Sequence, residues 1–140
     1  MEIRCELVRI MITETGDHQV IVLKEVGGER SFPIVIGFFE AAAIDRRIKG
    51  HVLPRPMTHD LLGSVIEAMG GRLAKIVVTD LKEHTFFANL VIERNGDRVI
   101  VDARPSDAIA LAVAGNTPIY VEDRILDEVA GPGSGLGFNP

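Results

Sequence analysis

Two short segments hold most of the side chains that could do chemistry in this chain. RPMTHD brings together Arg55, Thr58, His59 and Asp60, and DARPSD does the same for Asp102, Arg104, Ser106 and Asp107. A neighbouring His and Asp can supply a proton acceptor and a metal-binding carboxylate, while arginine neutralises phosphate through paired N–H donors. The carboxylates of Glu40, Asp60, Asp102 and Asp107 could together hold Mg²⁺ or Mn²⁺ with water retained, and the metal would activate that water. Thr58 and Ser106 would add hydroxyl contacts to a bound substrate.

Much of this set has an equally good structural account. Pro56 and Pro105 suit the first turn of a helix, Thr58 can cap one, and Asp60 and Asp107 favour its positive end. Glu40 fits the same rule at the start of an earlier helix. Capping leaves His59, Asp102 and the two arginines without a role. Asp102 ends the apolar run Val-Ile-Val, where a carboxylate costs stability unless it is partnered. Its options are pairing with Arg55 or Arg104, or coordinating a metal. Between Asp45 and Asp60 the chain carries Arg46, Arg47, Lys49, His51 and Arg55 with no acid among them. That stretch is either a solvated helix end or a phosphate contact.

The elements that must position these residues can be read from periodicity. Residues 3–12 form a strand whose alternation slips at Leu7-Val8, which points to a bulge or to a strand covered on both faces. Apolar runs over 20–23 and 32–36, joined through Gly27-Gly28, make a hairpin, and Pro33 predicts that the second strand begins at an edge or just after the proline. A helix follows Gly37, with Phe38, Phe39, Ala42, Ala43 and Ile48 at helical spacing. The next starts near Thr58 and carries the stripe Leu61, Leu62, Val65, Ile66 and Met69. Residues 73–80, 85–93 and 98–102 read as a three-strand meander that turns at Asn95-Gly96. Of Phe86 and Phe87 only one can face the core, leaving the other to stack on a base or meet a partner. A helix from Pro105 to about Ala114 is apolar nearly all round, which predicts deep burial. A strand over 118–121 and a helix capped by Asp123 complete the pattern.

Strands cluster around a helical middle instead of alternating strictly with helices, which predicts an α+β fold. We expect a mostly antiparallel, bent or mixed sheet, with a hairpin and a three-strand meander packed against about four helices. One domain should cover residues 1–130, followed by a flexible Gly/Pro-rich tail over 131–140. The 140 residues, 46% hydrophobic and 25% charged, suit one folded domain. No apolar run is long enough to cross a bilayer, and MEIRCELVRI lacks the features of a secretion signal, so the expectation is a cytoplasmic protein without membrane contact. Cys5 is the only cysteine, which excludes an intrachain disulfide and a cysteine metal cage, and its apolar setting reads as burial. A net charge of −5 removes the argument from a basic surface, though not a nuclease that keeps its carboxylates around a metal.

FPIVIGFFEAAAI, RPMTHDLL and DARPSDAIALA followed by PIYV, in that order, resemble the bifunctional nuclease (BFN) domain family. The resemblance runs from about Ile3 to Val129. It implies an α+β domain found in bacteria and plants and a nuclease acting on RNA and DNA. It transfers no catalytic set, so Glu40, His59, Asp60, Asp102 and Asp107 stay candidates from their own chemistry. Many bacterial relatives continue into a further carboxy-terminal helical motif, and AVAGNTPIYV lacks a basic residue associated with that position in relatives. The expectation is a phosphodiesterase dependent on Mg²⁺ or Mn²⁺, with no organic cofactor. His59 would transfer a proton, with Asp102 and Asp107 completing the catalytic group. Arg55, Arg104, Thr58 and Ser106 would bind RNA or DNA. The alternative is a non-catalytic, homo-oligomeric ligand-binding or regulatory module in which the same residues are internal ion pairs. A homo-oligomer, with a dimer favoured, is expected in either case.

Overall fold

A computed structural model describes residues 1–130 apart from Glu14 and Asp17; the expected tail over 131–140 lies outside the described residues. The elements run β1 (Glu2–Met11), β2 (Gln19–Glu25), β3 (Ser31–Ile36), α1 (Phe38–Ile48), α2 (Thr58–Ala68), β4 (Gly71–Lys82), β5 (Thr85–Arg94), β6 (Asp97–Ala103), α3 (Pro105–Gly115), β7 (Ile119–Glu122) and α4 (Asp123–Val129). The strands form one seven-stranded mixed sheet in the order β3-β2-β1-β7-β4-β5-β6. The α+β expectation is met. Two antiparallel meanders, β1-β2-β3 and β4-β5-β6, flank β7, which runs antiparallel to β1 and parallel to β4.

Local signals act where they stand. The β1–β2 register shifts between Leu7 and Arg9, so of the two readings of the slipped alternation the bulge holds. Asn95 and Gly96 both take positive φ, at 51° and 83°, and close the β5–β6 hairpin. Pro33 lies in the edge strand β3 opposite Val22.

One cluster of buried side chains forms the core, drawn from a single face of the sheet and from α1, α3 and α4. It includes Leu23, Phe32, Ile44, Ile76, Val78, Ile109, Val121 and Leu126. α3 buries Pro105, Ser106, Ala108, Ile109, Ala110, Leu111 and Ala112, so the helix that reads as apolar all round is the central one. Phe86 packs against this core with its ring centre 5.5 Å from that of Phe32. Phe87 is exposed beneath the Lys82 ammonium. Cys5 is buried, and that burial pushes its thiol up to about 11.

Other expectations fail in an instructive way. In α1 the buried residues are Ala41 and Ile44, while Phe38, Phe39 and Ile48 are exposed. α2 buries none of its residues: Leu61, Leu62, Val65 and Met69 all face outward although their spacing is that of a core stripe. The stripe exists, but among the described residues no second layer covers it. Thr58 is the first helical residue of α2 and not its cap; Met57 holds the cap position. Likewise Asp123 opens α4 after Glu122, and its backbone N–H donates to the Met1 carbonyl.

Candidate active site

Three helix starts converge beside the end of β6. Glu40 lies in the first turn of α1, His59 is the second residue of α2, and Arg104 and Asp107 flank the start of α3. Pro105 explains the last arrangement. A proline clashes with a helical conformation of the residue before it, so Arg104 is extended, at φ −70° and ψ 143°. Its guanidinium then reaches back over the first turn to Asp107, with Nε 2.9 Å from Oδ2 and Nη2 3.1 Å from Oδ1. This is a two-point fork on one carboxylate.

His59 Nε2 meets Asp107 Oδ1 at 3.1 Å, across 48 positions of sequence. The tautomer that donates from Nε2 leaves Nδ1 with a lone pair and, among the described residues, no hydrogen-bond partner. On the other side Arg104 Nη2 stands 3.6 Å from Glu40 Oε2. Asp107 is therefore the hub. Burial pushes its carboxyl up, but the hydrogen bonds from Arg104 and then His59 outweigh burial and hold it below the usual range. Arg104 is raised in turn, chiefly by Asp107. The side chains of His59 and Asp107 are 19% and 31% exposed, so the pair is shielded, whereas that of Arg104 is 65% exposed and free to meet a ligand.

Open space surrounds this hub. A groove of about 680 Å³ is lined by Glu40, Thr58, His59, Asp102, Arg104 and Asp107 on its polar side and by Phe39, Leu62 and Val101 on its apolar side. A second cavity of about 500 Å³ is lined by Arg47, His59, Asp60, Ser64, Arg72 and Thr117. His59 stands in the wall of both. Volumes of this size suit a nucleotide-sized ligand.

The other candidates do not join the hub. Asp60 Oδ2 accepts the Met57 backbone N–H at 3.0 Å and so closes the start of α2. Thr58 and Arg55 are exposed, and Arg55 makes no ion pair among the described residues. Ser106 is buried and out of reach of a ligand. Asp102 reaches neither Arg55 nor Arg104. It pairs with Asn89 across the ladder, which puts it on the sheet face opposite Val101 and Ala103. Among the described residues no three His, Cys, Asp or Glu side chains gather as a metal-holding group, so Glu40, Asp60, Asp102 and Asp107 are not assembled as one centre. Glu40 and Asp107 are joined only through the Arg104 guanidinium that lies between them.

The basic stretch is partly used internally. Arg47 donates to the Ala114 carbonyl at 3.1 Å and Lys49 pairs with Asp45 at 3.0 Å. Periodicity did not mark Phe39 and Leu62 as walls of the groove. Their only signal would have been large apolar residues beside the polar segments.

A profile of the bifunctional nuclease domain matches residues 21–132. An uncharacterized protein of Mycobacterium tuberculosis is 42% identical over 120 residues, which covers 86% of this chain and 71% of that protein. Bifunctional nuclease 2 of Arabidopsis thaliana is 31% identical over 108 residues, covering 74% of this chain and 33% of the plant protein. Bifunctional nuclease 1 of Oryza sativa subsp. japonica is 25% identical over 120 residues, covering 83% and 36% respectively. The chain thus spans about a third of these plant proteins' length.

Proposed function

The chain belongs to the bifunctional nuclease domain family, and from that membership we propose that it hydrolyses phosphodiester bonds of RNA or DNA at the His59–Asp107–Arg104 hub. The observation that carries this reading is a shielded His–Asp pair with an exposed arginine on the same carboxylate, opening into a groove of nucleotide size. Asp107 fixes the ring of His59, and Nδ1 takes the proton from an attacking hydroxyl or water. Arg104 lends its outer N–H donors to the scissile phosphate, where negative charge grows in the transition state. Phe39, 80% exposed at the groove, offers an aromatic face to a neighbouring base.

Dependence on Mg²⁺ or Mn²⁺ is part of the proposal. Such an ion commonly takes only one or two protein carboxylates together with substrate phosphate oxygens. Glu40 would hold it, because Asp107 has both oxygens on Arg104 and His59, and it would stabilise the leaving oxygen. A second reading has one observation in its favour. Asp107 already has both oxygens occupied by Arg104 and His59, as in an internal pair that fixes helix packing around a binding pocket.

Incubation of the purified chain with single- and double-stranded RNA and DNA, with Mg²⁺, Mn²⁺ or chelator, tests both. We expect cleavage that falls in His59→Ala and Asp107→Asn. Cleavage at the same specific activity in both variants would remove the site, and no cleavage under any condition would leave the binding module.

A further inference from the structure

The two edges of the sheet are built differently. β3 carries Pro33, which removes a backbone donor from that edge. β6 has no proline, pairs among the described residues only with β5, and exposes Val99, Ile100 and Val101 at 43%, 53% and 40%. A bare edge of β-branched residues is a template for another strand unless something blocks it.

The sequence of β6 identifies the strand that fits. Asp-Arg-Val-Ile-Val-Asp-Ala is nearly self-complementary about its centre. If a second copy of β6 runs antiparallel with Ile100 opposite Ile100, Val99 lies opposite Val101 and Arg98 lies opposite Asp102, and each relation occurs twice. Arg98, Ile100 and Asp102 share one face, while Val99 and Val101 share the other with Ile92 and Leu90. Both ion pairs would thus flank a central isoleucine pair. Neither Arg98 nor Asp102 makes an ion pair or side-chain hydrogen bond among the described residues, although Arg98 lies across from Glu93. Glu93 instead pairs with Arg72. A shift of one residue either way would lose both pairings.

We propose that this chain forms a two-fold dimer by antiparallel pairing of β6 with β6 of a second copy, in the register that sets Arg98 against Asp102. The two sheets become one of fourteen strands. Val101, which lines the groove beside Leu62 and Arg104, lies at the seam, so each groove is bordered by the other copy. The pairing gives Asp102, which also borders the groove, an ion-pair partner that it lacks among the described residues. It does not depend on the nuclease reading.

The test is charge reversal of the 140-residue chain, with mass and dissociation constant measured by sedimentation equilibrium. Wild type should have twice the 15.2 kDa chain mass. Arg98→Asp and Asp102→Arg each create two like-charge oppositions and should weaken dimerisation roughly 10- to 100-fold. The double variant should recover wild-type affinity. An equimolar mixture of the two single variants should form the heterodimer, because one copy then presents only acids and the other only arginines at the four positions. Variants with wild-type melting temperatures establish that the fold is intact. A wild type that stays monomeric up to roughly 0.1 mM overturns the proposal. So does a dimer indifferent to the single changes, or one that neither the double variant nor the mixture restores.

Discussion

His59 and Asp107 should behave as one unit in catalysis, and a double-mutant cycle measures whether they do. The structure sets the magnitudes. Loss of a positioned proton acceptor costs about 10²- to 10⁴-fold in rate, or about 3–5 kcal/mol, so His59→Ala should fall in that range. Asp107→Asn keeps the size of the side chain but can offer an N–H to Nε2, which favours the wrong tautomer and should cost about 10²-fold or more. If Asp107 acts through His59, the double variant should be within about threefold of His59→Ala alone. Independent contributions would instead multiply to about 10⁴-fold or beyond. Initial rates on a fluorophore-quencher oligonucleotide give kcat/KM for all four proteins. The same substitution has a separable cost in stability. The shielded His59 arm is worth about 1–2 kcal/mol, and the Arg104 arm, 65% exposed on its arginine side, at most about 1 kcal/mol. Asp107→Asn should therefore melt a few degrees lower but remain folded. Multiplicative losses of rate, with all four proteins folded, would refute the unit.

Three further outcomes follow from other parts of the molecule. Ile109→Ala removes most of a side chain that is 0% exposed in the central helix, and should cost about 2–5 kcal/mol, seen as a lower urea midpoint at unchanged slope. Glu25 is held down from its ordinary 4.5 to about 2, first by the Arg30 side-chain hydrogen bonds. A depressed carboxyl stabilises fully above its unfolded value and loses that contribution as pH falls through the folded one. The gap in melting temperature between wild type and Glu25→Gln should thus be widest above pH 5 and close towards pH 2. Gly37→Ala places a methyl against Glu40 Oε1 and should push that carboxylate off Arg104. Its backbone is extended, so stability should change by less than about 0.5 kcal/mol. Kinetics should match those of Glu40→Ala, and a wild-type profile in Gly37→Ala with an altered one in Glu40→Ala would contradict this contact.

The parts of the fold legible in the sequence are those governed by neighbouring residues. Asn95-Gly96, Pro33 and Pro105 act through local backbone preference, and the slipped alternation at Leu7-Val8 becomes a register shift in place. The match over residues 21–132 bears out the family resemblance carried by three separate motifs. Periodicity could not say which apolar stripe would be covered. Leu61, Leu62, Val65 and Met69 have the spacing of core residues yet lie outside, because covering depends on the layer above and not on the helix itself. The site shows the same division. Arg104 and Asp107 are three residues apart, so their pairing is local. His59 meets Asp107 only because α2 packs against α3, which no spacing within RPMTHD can express. Asp102 ends an apolar strand, and only the sheet order shows that strand to be an edge, where its carboxylate stays exposed at the border of the groove.

The placement of β7 between β1 and β4 bears on how the protein is made. Synthesis is vectorial, and both three-strand meanders are complete before Ile119–Glu122 leave the ribosome. Until then β1 and β4 each present an unpaired inner edge, and the halves meet through side chains such as Phe32 on Phe86 and Lys75 with Glu2 but through no strand ladder. The nascent chain is therefore most exposed to wrong strand exchange late in translation. Any delay between the emergence of β6 and that of β7 should lengthen the interval and lower the yield of soluble protein.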